Sequence, residues 1–271
     1  MSISQPVRKI TRAVIIGINY TGLPYQLSGC INDATNMQSY LTKYHACRNI
    51  TLLTDSMRVK PFRLNIIQAF RTMMRSSKRG DTILFHYSGH GAQVNDTSGD
   101  EAAASKFPKG SGKDSTLVPL DSMINGFITD DDLRKLIVEN LPDGVTLICV
   151  LDSCHSGTAV DMRFCFDMNY PVNKPYDELT QYGVTKGQVI CLSGCLDTGY
   201  SEEVYVDRGV VAGAMTWLLI EMLKSMKKST KRVTWRELMT SMKGIMSMNG
   251  IVQTPQLSSG QLLSLNDPVI F

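Results

Sequence analysis

Thr146-Leu147-Ile148-Cys149-Val150-Leu151-Asp152-Ser153-Cys154-His155-Ser156-Gly157 is the stretch from which the fold is read. Leu147 to Leu151 are consecutive apolar residues, too short a run for a helix and without the alternation of a strand that has one wet face. Such a run predicts a central strand covered on both sides. It stops at a polar cluster, Asp152 to Gly157, on the strand's carboxyl end, the edge at which open α/β sheets bind ligands. A thiol there, Cys154, beside a carboxylate and an imidazole, is a candidate nucleophile. The alternative is a buried thiol and a turn, since cysteine is among the most buried residue types.

A second stretch of the same design favours catalysis. Thr82 to Gly91, Thr-Ile-Leu-Phe-His-Tyr-Ser-Gly-His-Gly, is an apolar strand from Ile83 to Tyr87 that opens into Ser88-Gly89-His90-Gly91. Two neighbouring parallel strands ending in His90 and Cys154 would bring a base and a nucleophile together on one edge of a sheet.

His-Tyr-Ser-Gly-His-Gly followed by Asp-Ser-Cys-His-Ser-Gly resembles the His and Cys boxes of the metacaspases, caspase-fold cysteine peptidases that cleave after Arg or Lys. The resemblance runs from Val14 to about Met222. It takes in Gly29-Cys30-Ile31-Asn32-Asp33-Ala34 and Leu117-Val118-Pro119-Leu120-Asp121, each placed as in the type I branch. It implies a caspase-like three-layer α/β fold with a mostly parallel central sheet, a Cys-His dyad and polypeptide substrates with a basic P1 residue. It also implies a monomer with covered sheet edges. Type I relatives often carry a Pro-rich N-terminal extension, whereas here only about eleven residues precede the first strand, so no proenzyme segment to remove is expected.

Composition is that of an ordinary globular protein: 271 residues, 43% hydrophobic and 20% charged, with a net charge of +3. The basic residues are scattered. Lys224 to Arg232 reads as a helix end and its loop rather than a nucleic-acid patch. Seven cysteines without regular spacing argue against a disulfide framework and for a reducing compartment. With no signal-peptide core and no long apolar run, neither a membrane nor a nucleic-acid partner is expected, and a cytoplasmic location is. The many methionines, Met73, Met74, Met215, Met222, Met239, Met242 and Met246 among them, fall at helical spacing and read as core filling.

In chain order, a strand at Ala13–Gly17 leads to a helix from Asp33 to Tyr44 and a strand from Ile50 to Leu53. A helix follows, with Pro61 as an early residue and Leu64, Ile67, Phe70 and Met74 on one face. Strict alternation of this kind predicts a parallel sheet with helices on both faces. Val94 to Asp114 reads as an exposed loop, a length usually functional or disordered. A helix from Asp130 to Asn140 takes Thr129 or Asp130 as its N-cap. Asp161 to Gly187 reads as irregular, Val189–Ser193 as a buried strand, Gly213–Met226 and Trp235–Met246 as helices, and Pro255–Phe271 as closing strand material. One domain is expected over residues 1–271. Its large-subunit-like part is 1–165, the linker 166–187 and the small-subunit-like part 188–271.

A thiol attacks a carbonyl only as thiolate, and an unperturbed pKa near 8.5 leaves little of it at neutral pH. A histidine within reach removes that limit and later returns the proton to the leaving amine. His155 adjoins Cys154, and adjacent side chains on extended backbone face opposite ways. His90 is therefore the expected base and His155 structural. The backbone N–H groups of Gly91 and Cys154 are the expected oxyanion donors, a pair the resemblance implies as well.

Asp152 lies two residues before Cys154 and so on the same face. Asp33 begins a helix near the same edge, where an N-cap is the competing role. The resemblance implies that both, with Cys30 and Ser88, line a pocket for a basic side chain, and two carboxylates facing one guanidinium suit that task. Asp130-Asp131-Asp132 concentrates charge that a hard cation would relieve, or that a helix start would welcome. By resemblance a calcium site combines Asp114, Asp130, Asp131 and Asp161. The loop before Asp114 has fewer acids than the family usually carries, so weak binding is expected. Competing readings are a nucleotide-binding module, which would need a glycine-rich phosphate loop that is absent, a legumain-like or separase-like peptidase, and a catalytically impaired caspase-fold scaffold.

Overall fold

The computed structural model describes residues 9–95, 113–153, 160–171, 173–194, 203–206, 210–229 and 232–271. Its frame is an eight-stranded sheet. β1 (Ile10–Gly17), β2 (Asn49–Thr54), β3 (Thr82–Ser88), β7 (Thr146–Asp152) and β10 (Gln188–Ser193) are parallel, in the order β2-β1-β3-β7-β10. The antiparallel strands β13 (Gln256–Ser259), β8 (Phe164–Phe166) and β9 (Tyr176–Glu178) extend the sheet beyond β10.

Alternation along the strands divides the core in two. Ile148 and Val150 of β7 face one way, where α1 (Cys30–His45), α5 (Ala214–Lys228) and α6 (Trp235–Met248) pack. Leu147, Cys149 and Leu151 face the other, against α2 (Arg63–Arg75) and α4 (Asp130–Asn140). Every side chain of β3 and β7 is buried, which is why both read as unbroken apolar runs. The three-layer α/β architecture is that expected. Met73, Met74, Met215, Met239, Met242 and Met246 are buried in its core and Met222 packs against it, while Met57, Met123 and Met248 are exposed.

Between β3 and β7 the chain builds a small antiparallel sheet of β4 (Gly91–Asn95), β5 (Lys113–Leu117) and β6 (Ile128–Thr129), with α3 (Ser122–Asn125) beside it. A two-stranded ribbon of β11 (Glu203–Val206) and β12 (Val210–Gly213) precedes α5.

Three expectations are revised. Pro61 stands outside α2, whose first residue is Arg63, and the buried face is Ile66, Phe70, Met73 and Met74 while Leu64 is exposed. The pair Ile66-Ile67 allows two apolar stripes, and packing against β1 and β3, including the Phe70–Phe85 ring stack, selects the first. The stretch read as a loop from Val94 begins and ends in strand, and residues 96–112 lie outside the described residues. The segment read as irregular, Asp161 to Gly187, carries β8 and β9. β8 is paired by distant Leu257–Ser259, and β9 in turn pairs only with β8 among the described residues, so neither three-residue strand carries a pattern of its own.

Candidate active site

The parallel strands deliver the site residues to one edge. β1, β3 and β7 end level, with Gly17 opposite Ser88 and Ser88 opposite Asp152. His90 lies just past the end of β3. Its backbone is held from several sides: its N–H donates to Tyr20 Oη (3.0 Å), and its carbonyl accepts from Tyr87 Oη (2.8 Å) and the Val118 N–H (3.2 Å). Its ring is flanked by those of Tyr20 and Tyr25, at centroid distances of 4.8 and 5.7 Å. His90 Nε2 lies 2.6 Å from the Tyr25 carbonyl oxygen. A carbonyl can only accept, so Nε2 carries the proton and Nδ1 is the basic nitrogen. That is how an orienting third group serves a catalytic base.

These tyrosines were not singled out from the sequence. Tyr20 adopts a left-handed φ of 53° and is wholly buried. Burial pushes the hydroxyls of Tyr20 and Tyr87 well above the usual phenol range, so both remain neutral donors. Left-handed backbone at a bulky residue is a strained arrangement held in place by its surroundings. Here those are the His90 N–H, the Val118 carbonyl and the Tyr87 hydroxyl.

Cys154 and His155 lie outside the described residues. The described cysteines Cys30, Cys47, Cys149, Cys165 and Cys191 are buried free thiols. Burial pushes the Cys191 thiol up to about 12 and Cys149 well above its ordinary value, which makes both inert.

Asp33 and Asp152 come together. Asp33 is not an N-cap: Gly29 takes that place on α1, and Asp33 sits inside the first turn with its side chain turned to the core. Its Oδ2 accepts from Ser88 Oγ (2.7 Å), and the Gly213 N–H donates to both its oxygens (3.0 Å). Asp152 Oδ2 accepts the Thr216 N–H (2.8 Å). Two buried carboxylates thus meet the amides that open α5, where the helix dipole favours negative charge. A Cβ on Gly213 would lie 2.4 Å from Asp152 Oδ2 and 2.7 Å from Asp33 Oδ2, so the approach of the two acids requires glycine there. Cys30, the first residue of α1, is buried beside this cluster.

The four acids assigned to calcium are dispersed among neighbouring elements. Asp114 is on β5 and Asp130 and Asp131 open α4, where Asp130 accepts the N–H groups of Ser115 (2.7 Å) and Asp131 (3.0 Å). Thr129 is the N-cap and accepts from Asp132. Asp161 is buried near Arg134, whose guanidinium pKa is lowered by burial and partly restored by the Asp161 charge. Among the described residues no group of three His, Cys, Asp or Glu side chains stands close enough to hold a metal.

The fold and this edge define a caspase-like α/β protein. A Spodoptera frugiperda Caspase-1 crystal structure superimposes with a TM-score of 0.54 at 10% identity, covering 96% of this chain and 89% of that one. A Geobacter sulfurreducens protein superimposes with a TM-score of 0.65 at 24% identity, covering 97% and 98%. The family profile "Metacaspase, peptidase C14 domain" matches residues 11–163. Metacaspase-1 of Scheffersomyces stipitis is 30% identical over 94% of this chain and 72% of its own length. Metacaspase-5 of Trypanosoma cruzi is 31% identical over 95% of this chain but only 59% of its own length. The chain belongs to the metacaspase family, and is accordingly a cysteine-type peptidase acting on polypeptides. Among the described residues no helix is long and apolar enough to cross a membrane.

Proposed function

We propose that this peptidase hydrolyses bonds after Arg or Lys, with Cys154 as nucleophile and His90 as base. The observation that carries the reading is the convergence of Asp33 and Asp152 at Gly213, on the sheet edge that also holds His90. A guanidinium or ammonium entering there would replace mutual repulsion of two buried carboxylates with charge-assisted hydrogen bonds. A P1 Asp would add a third negative charge.

In the proposed reaction His90 Nδ1 takes the Cys154 proton and the thiolate attacks the scissile carbonyl. The N–H groups of Gly91 and Cys154 receive the oxyanion. Collapse expels the amine, which leaves with the proton from His90, and a thioester remains. Water, deprotonated by His90, then attacks the thioester, releasing the acid and restoring the thiol.

Calcium stimulation is part of the proposal. What supports it is the donor chemistry: Asp114, Asp130 and Asp161 are buried acids around the start of α4, with Asp131 beside them. As placed they form no ready cluster, so binding would require side-chain movement, and low affinity is expected. A monomer is proposed because β8 and β9 lie beyond β13 in the sheet order. A cytoplasmic location rests on the sequence argument alone.

Turnover of fluorogenic peptides with P1 Arg, Lys or Asp, with and without calcium, tests all of this. Arg and Lys substrates should be cleaved and Asp substrates left intact. Cys154→Ala and His90→Ala should abolish turnover and His155→Ala retain it. Asp130→Ala should blunt any calcium response. A P1 Asp preference would overturn the pocket, and full activity in chelator would overturn the calcium role.

A further inference from the structure

On the far flank of the sheet lies a groove of about 590 Å³ that the peptidase site does not use. Its inner wall is β2, which among the described residues is the edge strand and pairs only with β1. Its outer wall is α2, which turns Asn65, Gln68 and Thr72 toward it, with Ser76 just past the helix end. Asn49 and Thr51 of β2 are exposed, and β2 contains neither proline nor charge, the usual guards of an open edge.

The groove is charged in one sense. Arg12 and Arg48 line it at the end where β2 begins, and among the described residues no Asp or Glu lines it. Neither arginine forms an ion pair among the described residues. The Nε of Arg12 is buried without a hydrogen-bond partner, whereas buried donors are normally satisfied. From Ser56 to Gly80 the chain carries seven cationic side chains and no acid; Arg63 and Arg79 pair with Asp132 and Asp143, and the other five reinforce the sign. The other end of the groove is apolar, at Leu53 and the exposed Val59.

We propose that this groove docks an extended, acidic segment of a polypeptide substrate, added as a further strand beside β2. The proposal rests on the peptidase reading for the identity of the occupant. An open strand edge supplies main-chain hydrogen bonds, and alternate side chains of the added segment supply selectivity. Acidic residues would meet Arg12 and Arg48, and an apolar residue would cover Leu53 and Val59. A second copy of this chain is disfavoured, because it would bring one cationic wall against another. Single-stranded nucleic acid is disfavoured too, because among the described residues no aromatic ring lines the groove for bases to stack on.

Register gives the reach. Thr54 at the end of β2 is level with Gly17, hence with Ser88 and Asp152. Four strand spacings separate a strand added beside β2 from β7, about 19 Å, or roughly six extended residues. Asn49 to Leu53 occupies about 13 Å more. The acids of a substrate would therefore lie roughly ten residues from the cleaved bond.

The first test needs no catalysis. A fluorescein-labelled peptide of about twelve residues, acidic at one end, Leu/Val-rich at the other and free of Arg and Lys, is titrated with the whole chain by anisotropy. Binding should weaken about tenfold in Arg48→Glu and again in Arg12→Glu, survive Lys at either position, and fall as salt rises from roughly 50 to 300 mM. Arg48 is exposed, so its variant keeps the test valid even if Arg12→Glu misfolds. Binding unchanged in Arg48→Glu, or tighter binding of a single-stranded oligonucleotide of equal charge, overturns the proposal. The second test compares kcat/KM for a short P1 Arg peptide and the same peptide extended by the acidic segment on either side. One extension should raise kcat/KM severalfold in the wild type and not in Arg48→Glu, while the short peptide is cleaved equally by both. If neither extension helps although the peptide binds, the occupant is not a substrate and the proposal fails. If the short peptide is not cleaved at all, the failure lies in the P1 assignment, and the binding experiment still decides the groove.

Discussion

A methyl group on Gly213 would press on Asp152 Oδ2 and Asp33 Oδ2 at once, at 2.4 and 2.7 Å. Contacts that short force the carboxylates apart or shift the start of α5. Gly213→Ala should therefore raise KM for P1 Arg peptides about tenfold, the equivalent of ~1.4 kcal/mol, with a smaller effect on kcat. Michaelis constants for Arg and Lys peptides check this, and an unchanged KM would mean the two acids do not hold the P1 side chain. Asp33 and Asp152 could be read from sequence because each has a local reason to face the sheet edge: a helix start, and the two-residue period of a strand. Gly213 and Thr216 could not. They meet these acids through backbone N–H groups, which every residue but proline possesses, across separations of 180 and 64 residues. The same holds for Tyr25, which orients His90 through its carbonyl.

At the scale of elements, two buried histidines tie strands to helices and set the response to acid. His86 on β3 faces α5, with Nε2 3.3 Å from Thr216 Oγ1, and burial lowers its pKa to about 3. His45 ends α1 and accepts the Ile10 N–H of β1 at Nδ1 (3.1 Å). Burial, then the charges of Lys227 and Lys9, lower its pKa to about 4. Both are neutral in the fold and protonate near pH 6.5 once unfolded. Their contribution is therefore complete above about pH 6.5, declines as pH falls through the folded values near 4 and 3, and is absent below them. For His45 the loss is on the order of 3 kcal/mol at most. Urea unfolding between pH 7 and pH 4 should reveal it. His45→Gln, which keeps an acceptor for Ile10, should flatten part of the slope, and an unaltered slope would discount His45. Elements were legible where burial on both faces leaves an unbroken apolar run, as in β3 and β7. They were illegible where pairing is decided from afar, as in β8, where a strand is only three residues long, as in β9, or where adjacent isoleucines blur a helix's phase, as in α2.

Across the whole molecule, the assembled site draws on both halves of the chain. β10 lies beside β7 in register from Gln188–Thr146 to Ser193–Leu151, and β13 lies between β10 and β8. The acids of the first half bind the opening amides of α5 in the second. Covalent continuity between Glu178 and Gln188 should therefore be dispensable once folding is complete. A recognition sequence for a specific protease, inserted between the exposed Gly183 and Val184, would allow one cut there. The cut protein should elute as a single particle of monomer size, separate into two fragments only in denaturant, and retain turnover of P1 Arg peptides. Dissociation under native conditions would show the intervening peptide to be a structural tether. Persistence would mean that a severed linker leaves the pocket standing as a seam, closed by the same carboxylates that receive the substrate.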